Sequence, residues 1–241
     1  MGIVVACCLT LAGCSGSSSG EGSDGGPTVA VGDCFTEASA RPVACTENHI
    51  AQTVFVSSTP PPESSAALAP CREAQAEFLG QDFNSRLDVQ LWEPDDRSWY
   101  RCDVLLRNST QGGAGYQVLR ESLKHALSQG VPVPFQACLN EPYNAGVDQT
   151  YTPCDQAHVA QELTIAPAIG TPDDKFPGDV SDRATNACNA SATAADQLVA
   201  HRTVDAYYPE NADAWSTGER SADCWLTATR GKLPPVTASG G

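Results

Sequence analysis

Cys45-Thr-Glu-Asn-His49-Ile-Ala-Gln52 and Cys154-Asp-Gln-Ala-His158-Val-Ala-Gln161 follow one layout: His stands four residues after Cys, and Gln three residues after His. Around each run the cysteines recur in the same order, Cys34, Cys45, Cys71 and Cys102, then Cys138, Cys154, Cys188 and Cys224. Self-similarity at a fixed offset marks a duplicated unit. The layout predicts an α+β fold of two tandem repeats of a small disulfide-stapled domain, each a short antiparallel sheet with one main helix. The first repeat spans residues 31–133, including a connecting arm, and the second spans residues 134–232.

Each run leads into β-rich sequence, Gln52-Thr-Val-Phe-Val-Ser and Gln161-Glu-Leu-Thr-Ile-Ala, which has the composition of strands. A helix candidate follows in each half. Residues 70–79 put Cys71, Ala74, Phe78 and Leu79 on one face, with Pro70 in the first turn and Gly80 just past the end. Residues 181–201 put Ala184, Ala187, Cys188, Ser191, Ala195 and Leu198 on one face, capped by Ser181 or Asp182. The fourth Cys of each half falls in a final strand, Trp99-Tyr-Arg-Cys102-Asp-Val-Leu-Leu and Ala222-Asp-Cys224-Trp-Leu-Thr-Ala-Thr. In the connecting arm, Val118, Leu119, Ser122, Leu123, Ala126 and Leu127 recur at helical spacing and predict an amphipathic helix over residues 116–129, ended by Gly130. Residues 233–241 read as a disordered tail.

The simplest cysteine pairing is local and repeated: Cys34 with Cys45, Cys71 with Cys102, Cys138 with Cys154, and Cys188 with Cys224. The first bond of each half closes a small loop before a strand, and the second staples a helix onto the last strand. In the chain-entropy account such loops contribute about 3–4 kcal/mol each. Ahead of each last strand stands a second shared cluster, Trp92-Glu-Pro-Asp95-Asp96-Arg97 and Trp215-Ser-Thr-Gly218-Glu219-Arg220. An acid–Arg pair packed on the Trp face would brace the strands and add ~1 kcal/mol of cation–π attraction.

Residues 3–13 are apolar but too short to span a bilayer as a helix, and they end in Leu11-Ala12-Gly13-Cys14. That tetrad resembles the bacterial lipobox. The resemblance implies that residues 1–13 are a lipoprotein signal peptide and that Cys14 carries a diacylglycerol. Residues 14–30, mostly Ser, Gly, Asp and Glu, form a flexible tether with nothing to bury. Eight body cysteines at ordered spacing fit an exported, oxidised protein. A formal charge of −15 argues against nucleic acid and against direct adhesion to anionic lipid.

Gly32-Asp33-Cys34-Phe35, then Pro42-Val43-Ala44-Cys45 with His49, then Trp, acid–Arg and Cys, resembles the septum formation domain of actinobacterial envelope proteins. The second half keeps Trp215-x-x-Gly218-Glu219-Arg220 but opens on Ala137-Cys138-Leu139, while the first half has Asp95 where that pattern has Gly. The resemblance implies a link to cell division and no defined chemistry.

His158, Glu162 and Asp155, with His49 from the other half, would be the donors of a metal site, but no HExxH or CxxC grouping supports one. No GxSxG or SxxK supplies a nucleophile, so no catalytic residue is assigned. His49, Gln52, Trp92, Arg97, His158, Gln161, Trp215 and Arg220 are the candidate binding residues. The expectation is a non-enzymatic, lipid-anchored, extracytoplasmic interaction protein on the outer face of the cell membrane, linked to septum formation or cell-wall assembly. Its expected partners are the membrane through the lipid, and envelope or division proteins or the wall; no cofactor and no nucleic acid is expected. The alternatives are a metal-dependent envelope hydrolase and a wall-glycan-binding protein.

Overall fold

Alternating apolar residues make the strands, and a cysteine-bearing helix covers one face of each sheet. The computed structural model describes residues 28–37, 41–62 and 65–237, so Cys14, the expected signal peptide at residues 1–13 and most of the expected tether lie outside the described residues. The fold is α+β. Strands β1 (Cys34–Phe35), β2 (Ala51–Ser57), β3 (Leu87–Trp92) and β4 (Tyr100–Leu106) form one antiparallel sheet in the order β1-β2-β4-β3. Strands β5 (Cys138–Leu139), β6 (Ala160–Glu162), β7 (Arg202–Tyr207) and β8 (Asp223–Ala228) form a second in the order β5-β6-β8-β7. Helix α1 (Ala69–Leu79) falls between β2 and β3, helix α2 (Val180–Ala194) between β6 and β7, and short α3 (Ala212–Trp215) between β7 and β8.

The disulfides pair Cys34 with Cys45, Cys71 with Cys102, Cys138 with Cys154, and Cys188 with Cys224. Helix α1 has Pro70 in its first turn and ends at Gly80, whose φ of 95° permits the left-handed cap. Its Cys71, Phe78 and Leu79 are buried against Val89, Val104 and Leu106. Helix α2 buries Val180, Ala184, Cys188 and Ala192. It stops seven residues short of the predicted His201, and neither Ser181 nor Asp182 is its cap, because the N-cap position is Asp179. Beyond Ala195 the backbone turns through Asp196 at φ 52°, which leaves Leu198 40% exposed.

Two predicted elements take another form. Residues 116–129 are not a helix but a strap with Leu119, Leu123 and Leu127 buried in the first core. The amides that a helix would bond internally go elsewhere: His125 N–H donates to Phe78 O (2.8 Å) and Leu127 N–H to Leu79 O (2.9 Å). The strap thereby satisfies carbonyls left open at the end of α1. Leu233, expected in a disordered tail, is 2% exposed and exchanges backbone hydrogen bonds with His158; Val236 N–H donates to Cys154 O.

The halves pack as one body. Phe83 bridges Ile165, Asn84 N–H donates to Thr164 O (3.1 Å), and Tyr151 N–H donates to Asn108 O (2.9 Å). Gly218, at φ 90°, sits so close to α1 that a Cβ there would meet Ala69 Cβ at 3.0 Å.

Candidate functional site

The paired Cys–His–Gln runs prove to be pins. His49 is 1% exposed; it exchanges backbone hydrogen bonds with Leu119, and its Nδ1 donates to Glu47 O (2.9 Å). His158, wholly buried, does the same with Leu233 and with Gln156 O (2.8 Å). Each histidine's backbone thus holds a later segment beside its sheet, while its imidazole bonds the turn just before it. Gln52 Nε2 donates to Gly32 O and Ser122 Oγ (both 3.0 Å), while Leu123 N–H donates to Gln52 Oε1 (2.7 Å). Gln161 instead approaches His158 Nε2 at 3.2 Å. With its Gln turned to the strap, His49 keeps an unpartnered buried Nε2. Among the described residues no three His, Cys, Asp or Glu gather as a metal site. Asp155 is exposed, and Glu162 lies across β6 from Gln161.

The two Trp clusters are not equivalent in space. Trp92 ends β3 and pairs with Arg101; the position matching it in the second sheet is Tyr207, which pairs with Asp223. Trp215 instead lies in α3, 3% exposed, with Nε1 donating to Asp174 O (2.8 Å) and Arg220 4.1 Å over its ring. Arg97 is exposed and pairs with Glu93 (3.0 Å), not with the neighbouring acid. The cation over Trp92 is Arg101, 4.6 Å from that ring and 3.9 Å from the Phe35 ring. Its Nε donates to Asp103 Oδ2 at 2.9 Å, and Thr53 Oγ1 donates to Asp103 Oδ1 at 2.7 Å. A 2%-exposed guanidinium is tolerated there because charge, hydrogen bonds and ring faces are all satisfied.

The corresponding face of the second sheet is built from different residues. Glu162 pairs directly with Trp225, as Thr53 does with Asp103; Asp223 precedes Cys224, as Arg101 precedes Cys102. Alternation puts Glu162, Asp223 and Tyr207 on one face, away from α2. This face opens on a cleft of about 980 Å³ whose other wall is α1 and residues 81–88 of the first half. Glu73, Asp82, Asp88, Glu162, Glu219 and Asp223 line it, against Arg72, Arg107 and Arg220.

The cleft's guanidinium groups are engaged. Arg72 pairs with Glu219 (3.4 Å), Arg107 Nη1 donates to Thr110 O (2.9 Å), and Arg220 Nε donates to Thr171 O (3.1 Å). Glu162, 8% exposed, has no hydrogen bond or ion pair among the described residues, and neither has the Asp223 carboxylate. Burial, reinforced by Asp223 and opposed by Arg107, holds the Glu162 carboxyl well above the ordinary carboxylate range. Burial and Glu219 push Asp223 up to about 7 against the pull of Arg107 and Arg72. Burial alone would lower the Arg107 guanidinium, but Asp88, Tyr151, Glu162 and Asp223 outweigh it and hold it above its usual range.

The structure therefore brings Arg220, alone of the eight predicted binding residues, to the cleft wall. The sequence marks Glu162 only as a metal donor and does not distinguish Arg72 or Arg107 from other charged residues. A signal for Asp223 does exist in the chain: the residue before the last Cys changes from Arg101 to Asp223 between the halves. No helix among the described residues is long and apolar enough to cross a membrane. Neither a curated protein nor a solved structure matches this chain. One family, described as Septum formation, matches residues 31–224, running through both sheets and the cleft between them. The chain belongs to the Septum formation family.

Proposed function

We propose that this protein is a lipid-anchored, extracytoplasmic interaction module of septum formation that works by binding and not by catalysis. The observation that carries this reading is the open cleft between the two sheets, whose lining includes Glu162 and Asp223, carboxyls that make no hydrogen bond or ion pair among the described residues. Pockets of this size with a few convergent polar groups are the default binding sites of globular proteins. Family membership supports the link to division. Four disulfides suit an extracytoplasmic body, and the lipobox-like Leu11-Ala12-Gly13-Cys14 supports an anchor at Cys14. The common strand order, with a stapled helix at the same place in each half, supports an internal duplication in which only the second half keeps an open polar face.

The same carboxyl pair favours a second reading, a glycan hydrolase with Glu162 and Asp223 as acid and base. Such chemistry requires one neutral and one ionised carboxyl. Here burial displaces both carboxyls in the same direction, with no opposing environments to assign one the acid and the other the base role, which favours binding. The test is the full-length chain carrying an export-competent fluorophore at its C-terminus, imaged in dividing cells with and without Cys14→Ala. Septal enrichment that disappears without the anchor is the expected result. A uniform periphery in both, or wall hydrolysis by the purified protein that Glu162→Gln abolishes, would overturn the reading.

A further inference from the structure

We propose that the cleft between the sheets takes a protonated amine on a slender aliphatic arm, with Glu162 and Asp223 receiving the ammonium at its floor. The inference deepens the binding role proposed above and rests on it. Its first support is the contrast between the halves. Where the first sheet fills this face with the self-satisfied Arg101–Asp103–Thr53 network, the second sheet holds two acids that make no hydrogen bond or ion pair among the described residues, with only the more distant charges of Arg107 and Arg72 acting on them. A buried acid without a partner is costly. Glu162 is nine-tenths buried, lines the cleft and makes no hydrogen bond among the described residues, so its carboxyl is open to a donor entering the cleft.

The cleft's own cations cannot meet that need. Arg72, Arg107 and Arg220 are held by Glu219, Thr110 and Thr171 respectively, and the unpartnered Nε atoms of Arg72 and Arg107 are sealed from solvent. Residues 1–27, 38–40, 63–64 and 238–241, which lie outside the described structure, contain no Lys or Arg. The complementary charge is assigned to another molecule. Six carboxylates face three guanidinium groups around the cleft, which sets the sign of that molecule. Phe83, Ala76 and Ala166 give its wall an apolar stretch suited to methylene groups. Tyr207, 41% exposed, adds a ring face for the cation.

Both carboxyls hold protons more tightly than an ordinary acid does, so an ammonium that seats on them must displace protons. Proton release distinguishes this site from diffuse attraction to a strongly acidic surface. The probes are cadaverine, and acetyl-Ala-Lys-Ala-amide with its lysine free or acetylated. They are titrated calorimetrically into the oxidised protein at about pH 7, in buffers of different ionisation enthalpy.

The expected result is one site that releases protons and weakens about ten-fold or more in Glu162→Gln/Asp223→Asn. The surface variant Glu141→Gln, which also removes negative charge, should bind like the wild type. Melting curves confirm that each variant is folded. Binding of the free-lysine peptide but not of its acetylated form assigns the amine to a polypeptide side chain, whereas binding of cadaverine alone assigns it to a small molecule. No binding, or equal binding by all three proteins without proton release, overturns the proposal. Septal enrichment of the double variant at the wild-type level would overturn the cleft assignment yet leave the division-linked role standing.

Discussion

Arg101 and Asp223 occupy matching positions and meet opposite fates. Arg101 lies between Phe35 and Trp92 and is neutralised by Asp103, so its charge is fully answered inside the protein. Arg101→Met leaves Asp103 buried beside Thr53 without its cation and should cost about 3–5 kcal/mol in denaturant unfolding; Arg101→Met/Asp103→Leu should recover part of that loss. Asp223 and Glu162, by contrast, are easier to bury protonated than ionised. The native state therefore binds more protons than the unfolded chain, in which these groups titrate near their ordinary values of about 4. Stability from this pair is present at low pH and is lost as pH rises above the ordinary carboxylate range, Asp223 giving up its share at about 7 and Glu162 its share well above the usual carboxylate values. Arg107, Arg72, Glu219 and Asp82 also act on the pair and are charged or titratable themselves. Thermal melts of wild type and Glu162→Gln/Asp223→Asn should therefore diverge with pH. The variant should melt higher at about pH 8 and almost equally at about pH 4; a variant that melts lower at the alkaline end would contradict this.

At the scale of elements, disulfides and straps hold what short strands cannot. β1, β5 and β6 have two, two and three residues, too few to be stable by pairing alone. Cys188–Cys224 closes 36 residues and Cys34–Cys45 closes 11, so loss of the first by paired Ser substitution should cost about 1 kcal/mol more than loss of the second. Denaturant midpoints would reveal the opposite order if it held. The repeated Cys order made the pairing, the α+β class and helix α1 legible from sequence, because Pro70, Cys71 and Gly80 carry local signals that tertiary packing did not override. The strap at residues 116–129 was not legible. Leu119, Leu123 and Leu127 recur every fourth residue in a helix and here do so by coincidence, since their backbone answers α1 and His49 instead. The site was legible only in fragments. His49 and His158 looked like ligands because buried polar residues and functional ones share the same sequence signature. Asp223 was hidden in a strand whose facing partner, α1, comes from about 150 residues earlier in the chain.

At the scale of the molecule, the two sheets act as one body with a cleft between them. Backbone bonds from Asn84 and Tyr151, the Arg72–Glu219 pair and the close approach of Gly218 to Ala69 cross the boundary. Gly218→Ala, which forces a side chain into a left-handed turn against α1, should destabilise the whole protein by about 1 kcal/mol or more. Unfolding of the oxidised chain should be a single transition by fluorescence and by far-ultraviolet dichroism alike, whereas two separated transitions would mark independent halves.

The most direct measurement is a side-chain carboxyl titration of Glu162 and Asp223 by carbon-detected NMR on the oxidised protein. Open, unanswered acids on a shared cleft predict an Asp223 midpoint of about 7 and a Glu162 midpoint well above the ordinary range. If both titrate near the ordinary value of about 4, as surface carboxylates do, the cleft floor is solvated or paired, and the account of the site is contradicted.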